Sequence, residues 1–449
     1  MKSRRLILLT AVILSLGGLP LFAGGQQDPA AAPPEKVSLT FWHLWGGSRG
    51  PLVDQLIERF NVVHPEIAIE QSFTAPFDLG PKVFAAAGTN TLPDVFNLSS
   101  DWYLNVRPDK TMVNLDPYLK RDKLAIDKIL VPAEVSRCYH NGSVYSLPNV
   151  TAGAQFILFY NRKLLQQAGL TEKDLPSNWK QYTAMSRKIV TALNQGTQLE
   201  IIPWNPIPDY WTVVGFVIGN GAQVISKDSK TSMLDSPGAV EVVQAFDDYI
   251  EAVYGKYGGH KGLVEWFSRV RGADTGAQPI EPFIKEKQVF YISGSWAVGQ
   301  VRAGNPAIDL QAALVPGLKG PQGGEVFSGW TYGIGKNTKY PDAAWKFLRY
   351  ITMDVEGNGE FCKAQMRPCP IASVNDDPAY EKELGALWTA IRKSMDLDMP
   401  THNYFKTNLW SLLFDIPNRR INGQSVGQIM ENLDKEYQDF LNDTWSGVQ

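Results

Sequence analysis

The sequence predicts an α/β protein built on a mainly parallel sheet, and three observations lead there. Short apolar segments rich in Val, Ile and Phe alternate with longer segments whose apolar residues recur every three to four positions. Prolines stand where several of the longer segments begin, at the first-turn position where a missing N–H costs nothing. With 449 residues, 44% hydrophobic and 20% charged, the chain can bury the core of about two or three domains.

The elements follow in order. Val37-Ser38-Leu39-Thr40-Phe41-Trp42 reads as the first strand. Pro51 then opens a helix whose Leu52, Val53, Leu56, Ile57 and Phe60 form one apolar face. "IAIEQSF" is a second strand, an amphipathic piece surrounds Val83 and Phe84, and "DVFNLS" is a third strand. "AQFILFYN" continues the strands, and "RKLLQQAGL" is a helix stopped by Gly169. "SPGAVEVVQAFDDYIEAV" and "YPDAAWKFLRYI" are helices begun near Pro237 and Pro341. Tyr254 to Gln278, rich in Gly and Lys, reads as an insertion or mobile loop.

The N-terminus sets the compartment. Lys2, Arg4 and Arg5 precede the apolar run Leu6 to Leu16, which is too short to span a bilayer, so residues 1–23 read as a signal peptide. Cleavage is expected after Ala23, although Leu21 spoils the small-x-small pattern. No cysteine stands near that junction to carry a lipid, and residues 24–36 form a Pro- and Ala-rich linker. An exported, periplasmic protein is expected, not a lipoprotein.

Net charge is −3, and −6 without the three basic leader residues (40 basic against 46 acidic), which offers no basic footprint for nucleic acid. Three cysteines are too few for a disulfide framework. Cys362 and Cys369 are close enough in sequence to bridge, which leaves Cys138 as a buried small hydrophobe.

Catalytic patterns are present only in outline. Gly46-Gly47-Ser48-Arg49-Gly50 satisfies the nucleophile-elbow pattern, yet it follows the first strand, so no earlier strand supplies an oxyanion loop. The glycines have a simpler use, bringing backbone close to a ligand at a helix N-terminus. Gly333-Ile334-Gly335-Lys336-Asn337 lacks the leading glycine of a P-loop and its Ser or Thr. The five histidines show no zinc-ligand spacing, and Asp247-Asp248 reads as a solvated helix face. No metal or cofactor is expected.

Aromatic residues in polar, loop-like settings are the positive signal. The 13 tryptophans include Trp42, Trp45, Trp102, Trp204, Trp211, Trp296, Trp330 and Trp410, in contexts such as "SSDWYLN", "PWNPIPDYW", "SGSWAVG" and "FSGWTYG". A flat ring stacks on the C–H face of a pyranose while neighbouring polar groups bind its hydroxyls. Trp179, Trp345 and Trp388 sit at helical spacing among apolar residues and read as core. Three stacked rings contribute about 2–4 kcal/mol beyond burial, whereas micromolar binding needs roughly 8 kcal/mol. Asp101, Asn205, Asp209 and Arg367 are available for the remainder.

The order of these motifs resembles the family 1 extracellular solute-binding proteins, sugar-delivering components of ATP-binding cassette importers with the maltose-binding-protein fold. The resemblance begins with "LTFWHLWGG…LVDQLIERFNVVHPEIAIE" and "LPDVFNLSSDW", and continues through "GSVYSLPNVTAGAQFILFYNRKLLQQAGL" and "GAQVISKDSKTSMLDSPGAVEVVQAF". It ends with "FYISGSWAV", "LVPGLKG…GGEVFSGWTYGIGKNTKYPDAAWKFLRYI" and "RRINGQSVGQIMENLDKEYQDF".

The resemblance implies a two-lobed periplasmic-binding-protein fold of the class II type, its cleft between lobes joined by crossing hinge segments. Lobe one would hold residues 37–148 and 328–375, lobe two residues 154–327 and 376–449, with hinges near 147–153 and 328. Trp45, Asp101, Trp102, Trp330 and Arg367 would form one wall, and Tyr210, Trp211, Trp296 and Trp410 the other. The implied partners are a carbohydrate ligand, with aromatic density pointing to an oligosaccharide, and the importer's membrane permease; a monomer is expected. The rival reading is an exported esterase or glycosidase using Ser48 or a hidden carboxylate pair. Among other cargoes, a sugar phosphate would want more cleft arginines than these positions supply, and a polyamine more carboxylates.

Overall fold

The computed structural model describes residues 36–151, 153–206, 210–271, 280–324, 329–399 and 406–446. The expected signal peptide, most of the linker, Asp209 and Ser328 lie outside these residues.

Among the described residues, eleven strands fall into two main sheets and a small hairpin. They are β1 (Val37–His43), β2 (Ile67–Phe73), β3 (Val95–Ser99), β4 (Tyr139–His140), β5 (Ser143–Val144) and β6 (Ser146–Pro148). After the first crossing come β7 (Ile157–Asn161), β8 (Phe290–Ser293), β9 (Leu310–Pro316), β10 (Pro321–Gln322) and β11 (Trp330–Ile334). The first sheet has the order β2-β1-β3-β11-β6, the second β10-β9-β7-β8, and β4 pairs with β5.

The expectation of a mainly parallel sheet is corrected here. Among the named strands of the described residues, only the β1–β2 and β1–β3 pairs are parallel. β11 runs antiparallel to both β3 and β6, and every pair in the second sheet is antiparallel. Alternating strands and helices announce crossovers, but not that β11 enters the first sheet from the edge where β6 leaves it.

Prolines mark the starts of several of the helices that pack around the sheets. Gly50–Val63, Pro237–Tyr254 and Pro341–Tyr350 all carry Pro in the first turn. In the first core, Phe41 and Phe60 each meet the Phe347 ring at 5.0 Å. The β7 residues are all buried, Ile157 and Phe159 in the first core, Leu158 and Tyr160 in the second.

Two further expectations change, and a cysteine pairing left open is resolved. Residues 254–278 are not simply a loop: Gly259–Val270 is a helix with His260, Leu263, Trp266 and Phe267 buried, and their helical spacing outweighs the Gly and Lys content. Asp247 is not solvated but buried, accepting from both Nε and Nη2 of Arg420 (2.6 and 2.9 Å) and facing His260 Nε2 at 2.7 Å. Cys362 and Cys369 are buried free thiols, with the Cys362 sulfur directed at the Asn149 carbonyl (3.5 Å). Cys138 is buried, as are Trp179, Trp345 and Trp388.

Candidate ligand-binding site

Strand ends collect the site. β1 and β3 finish at the same edge of the first sheet where β11 begins, since Trp330 pairs with Ser99. Ligands of α/β sheets gather beyond the carboxyl ends of strands. Residues just past those ends are Trp45, Asp101 and Trp102, with Trp330 leading β11.

Trp45 is 1% exposed and cannot offer an open ring face. Its Nε1 donates to the Tyr332 hydroxyl (2.8 Å), and Phe361 packs edge-on to its ring. It supports Arg49, whose guanidinium lies 5.1 Å above the same ring. Arg49 ends the turn Gly47–Arg49, and Gly47 at φ 59° is the left-handed position that lets the chain double back. The Ser48 side chain lies outside the described residues.

His43, the buried histidine nearest this turn, has both ring nitrogens committed. Nδ1 accepts from the Trp45 N–H (3.2 Å) and Nε2 faces Gln71 Oε1 (3.0 Å). Burial lowers its pKa to about 4. A neutral, doubly occupied imidazole is a poor general base.

Trp102 and Trp330 are half-buried and meet edge-to-face at 5.6 Å, with Phe84 against the far side of Trp102 (5.4 Å). Asp101 is buried, and one of its oxygens accepts from the Ser99 hydroxyl. Asn149, at the end of β6, joins these rings to the crossing. With its amide turned to satisfy both neighbours, it donates to the Trp330 carbonyl (3.2 Å) and shares the Trp45 Nε1 proton (3.2 Å) with the Tyr332 hydroxyl.

The second sheet contributes Trp296 from the turn after β8. Gly294 must lack a side chain, because a Cβ there would stand 2.1 Å from the Trp296 ring. Over that ring, at 5.6 Å, lies the Arg367 guanidinium, carried by a segment that packs on the first sheet's side. Arg367 is placed by the end of the Glu360–Ala364 helix. The Arg367 N–H bonds the Cys362 carbonyl, the Met366 N–H bonds Lys363, and Met366 takes φ 51°. This is a Schellman stop with methionine where glycine is usual.

The crossing itself is tightly tied. Asp398 accepts from the Ala154 N–H (2.7 Å) and the Gly324 N–H (3.0 Å), so one carboxylate holds both crossing segments. A buried Glu134–Arg137 ion pair sits behind it, with Thr151 donating to Glu134 and Arg137 to the Val150 carbonyl. Ala154 is a non-glycine residue held at φ 57°.

The structure thus brings together Trp45, Asp101, Trp102 and Trp330, and sets Trp296 against Arg367. Trp410 lies half-buried on the Lys406–Leu413 helix against the second core. Tyr210 and Trp211 begin the Tyr210–Gly219 helix, and their side chains lie outside the described residues. Trp204 is no cleft residue: it is 3% exposed within the cluster of Trp179, Tyr182, Phe216, Phe246 and Tyr249. Trp42 is capped by Lys82, whose ammonium stands 3.9 Å above the ring.

Residues the sequence reading missed are Arg49, Tyr332, Asn149, the Glu134–Arg137 pair and Asp398. Arg49 lay inside the glycine-rich turn already singled out; Asp398, in "DLDMP", carried no local signal. Among the described residues no cluster of His, Cys, Asp or Glu could hold a metal. An open depression of about 350 Å³ lies elsewhere, around Val355, Lys363 and Asp377, where Lys363 is already paired with Glu360 and Asp377.

Known proteins align with this arrangement. The family described as bacterial extracellular solute-binding protein matches residues 46–354. The maltodextrin-binding protein MdxE of Bacillus subtilis is 26% identical over 322 residues, covering 68% of this chain and 70% of that protein. The maltotriose-binding protein of Pyrococcus abyssi is 21% identical over 324 residues, 71% of this chain and 63% of that one. The solved structure of CpMnBP1 with mannotriose bound superposes with a TM-score of 0.75 at 18% identity, covering 90% of this chain and all of that one, a likeness of fold.

Proposed function

This chain belongs to the bacterial extracellular solute-binding proteins, and from that membership we propose that it captures a carbohydrate, an oligosaccharide, and hands it to an ATP-binding cassette permease. It does so by closing two lobes: residues 37–148 with 328–375, and 154–327 with 376–449, hinged near 147–153 and 328. The maltodextrin-, maltotriose- and mannotriose-binding relatives support the ligand class. The single observation that carries the reading is the meeting of Trp296, from the second sheet, with Arg367, from the first sheet's side. On this reading residues from both lobes share one site, to which the Trp102–Trp330 pair adds two further ring faces.

Trp102, Trp330 and Trp296 supply ring faces, with Tyr210, Trp211 and Trp410 completing the second wall. Asp101 and Arg367 bind polar groups, and Trp45 acts by seating Arg49. Contacts on both walls favour the closed form, and only such differential affinity shifts the equilibrium. The protein acts as a periplasmic monomer, performs no catalysis and binds no nucleic acid. Titration with a panel of mono- and oligosaccharides, followed by tryptophan fluorescence and melting temperature, tests this. A panel that moves neither signal overturns it. Ester or glycoside turnover lost in Ser48→Ala would favour the hydrolase instead.

A further inference from the structure

Arg367 is 6% exposed, and its guanidinium makes no hydrogen bond or ion pair among the described residues. Its Nε is buried without a partner, and its one polar-face neighbour is the Trp296 ring at 5.6 Å. Arg49, half-buried over Trp45 at 5.1 Å, likewise forms no ion pair among the described residues. Burial lowers the pKa of both, and Arg49 is close enough to push that of Arg367 down further, to about 10. Both therefore remain cationic at neutral pH.

A buried cation without a counter-charge is costly, and a ring face compensates only part of the lost hydration. The Trp45 ring under Arg49 packs 5.7 Å from Phe361, on the helix whose stop places Arg367, so the two cations belong to one neighbourhood and repel each other as well. Their carriers nevertheless hold them there: a left-handed glycine turn places Arg49, and a methionine-capped helix stop places Arg367. The guanidinium fork matches the two oxygens of a carboxylate or phosphate.

We propose that Arg49 and Arg367 form an anion-accepting subsite between Trp45 and Trp296, so that the transported solute is an acidic sugar bearing a carboxylate or a phosphate ester. This rests on the carbohydrate-binding reading above and narrows it. An arginine kept only to pack against tryptophan would show no preference for charged ligands, and losing it would destabilise the empty protein.

The test titrates the whole protein with maltotriose, digalacturonate and glucose 6-phosphate, following tryptophan fluorescence. Digalacturonate or glucose 6-phosphate is expected to bind at least tenfold more tightly than maltotriose, and the responding probe distinguishes carboxylate from phosphate. That affinity should fall at least tenfold in Arg367→Gln and in Arg49→Gln, and weaken as salt rises. Ligand-free Arg367→Met should melt no lower than wild type, since it removes an uncompensated charge. Binding of maltotriose alone, or acidic-probe binding untouched by both substitutions, overturns the subsite and leaves carbohydrate capture standing. If neither acidic probe binds, the subsite fails, and carbohydrate capture stands or falls separately on the wider sugar panel.

Discussion

His43 ends β1 with Nδ1 facing an N–H, so a second ring proton would point a donor at a donor. Its pKa falls from 6.5 to about 4 on folding, so between those values the unfolded chain binds more protons than the folded one. Stability from this group is full above pH 6.5 and is lost as pH drops through about 4, by up to about 3 kcal/mol. Urea midpoints at pH 7.5 and 4.5 should differ more for wild type than for His43→Gln; equal differences would dismiss the effect. For the half-buried rings, Trp330→Ala should weaken sugar binding by roughly tenfold or more, from about 0.5–1.5 kcal/mol of ring preference plus lost burial. An unchanged titration would remove Trp330 from the site. At this scale the sequence was least informative: "LWGGS" and "SSDWYLN" look alike, yet Trp45 is sealed while Trp102 is not. What separates them is Tyr332 and Phe361, far downstream in the chain, which no local pattern displays.

Elements were more legible. Prolines and apolar periodicity marked the helices opening at Pro51, Pro237 and Pro341, because their signals are local. Sheet direction was not legible, since it depends on which sheet receives a strand after a crossing. Nor was the Gly259–Val270 helix, where two glycines and a lysine hid an apolar face. Trp266 lies on that face, 1% exposed, with Nε1 donating to the Glu200 carbonyl (3.1 Å). Trp266→Ala should cost about 3–5 kcal/mol in denaturant unfolding; a loss under 1 kcal/mol would mean that the helix is not docked as described. The Glu134–Arg137 pair makes a sharper case. Glu134→Ala strands a buried guanidinium and should cost about 3–5 kcal/mol, whereas replacing both partners by Met should restore most of it. If the double variant is as weak as the single one, the damage comes from Thr151 and the crossing backbone, not from the orphaned charge.

For the whole molecule, the decisive quantity is the balance between open and closed lobes. Moving that balance from 1:99 to 99:1 takes roughly 5.5 kcal/mol of ligand preference, more than two or three rings provide. The crossing segments therefore have to leave little resistance to closure, and Asp398 is where they are coupled. Its two oxygens each accept one backbone N–H, from Ala154 and from Gly324. Asp398→Asn preserves size but turns one acceptor into a donor facing an N–H, forfeiting about 1.5–3 kcal/mol of charge-assisted bonding. With the two segments uncoupled, the ligand-free protein should sample wider lobe separations. Small-angle scattering should then report a larger radius of gyration than wild type without sugar, and a larger contraction on saturation. Tighter empty protein, or identical scattering with identical stability, would show that the hinge angle is set elsewhere, by the Glu134–Arg137 pair or by the cores that flank it.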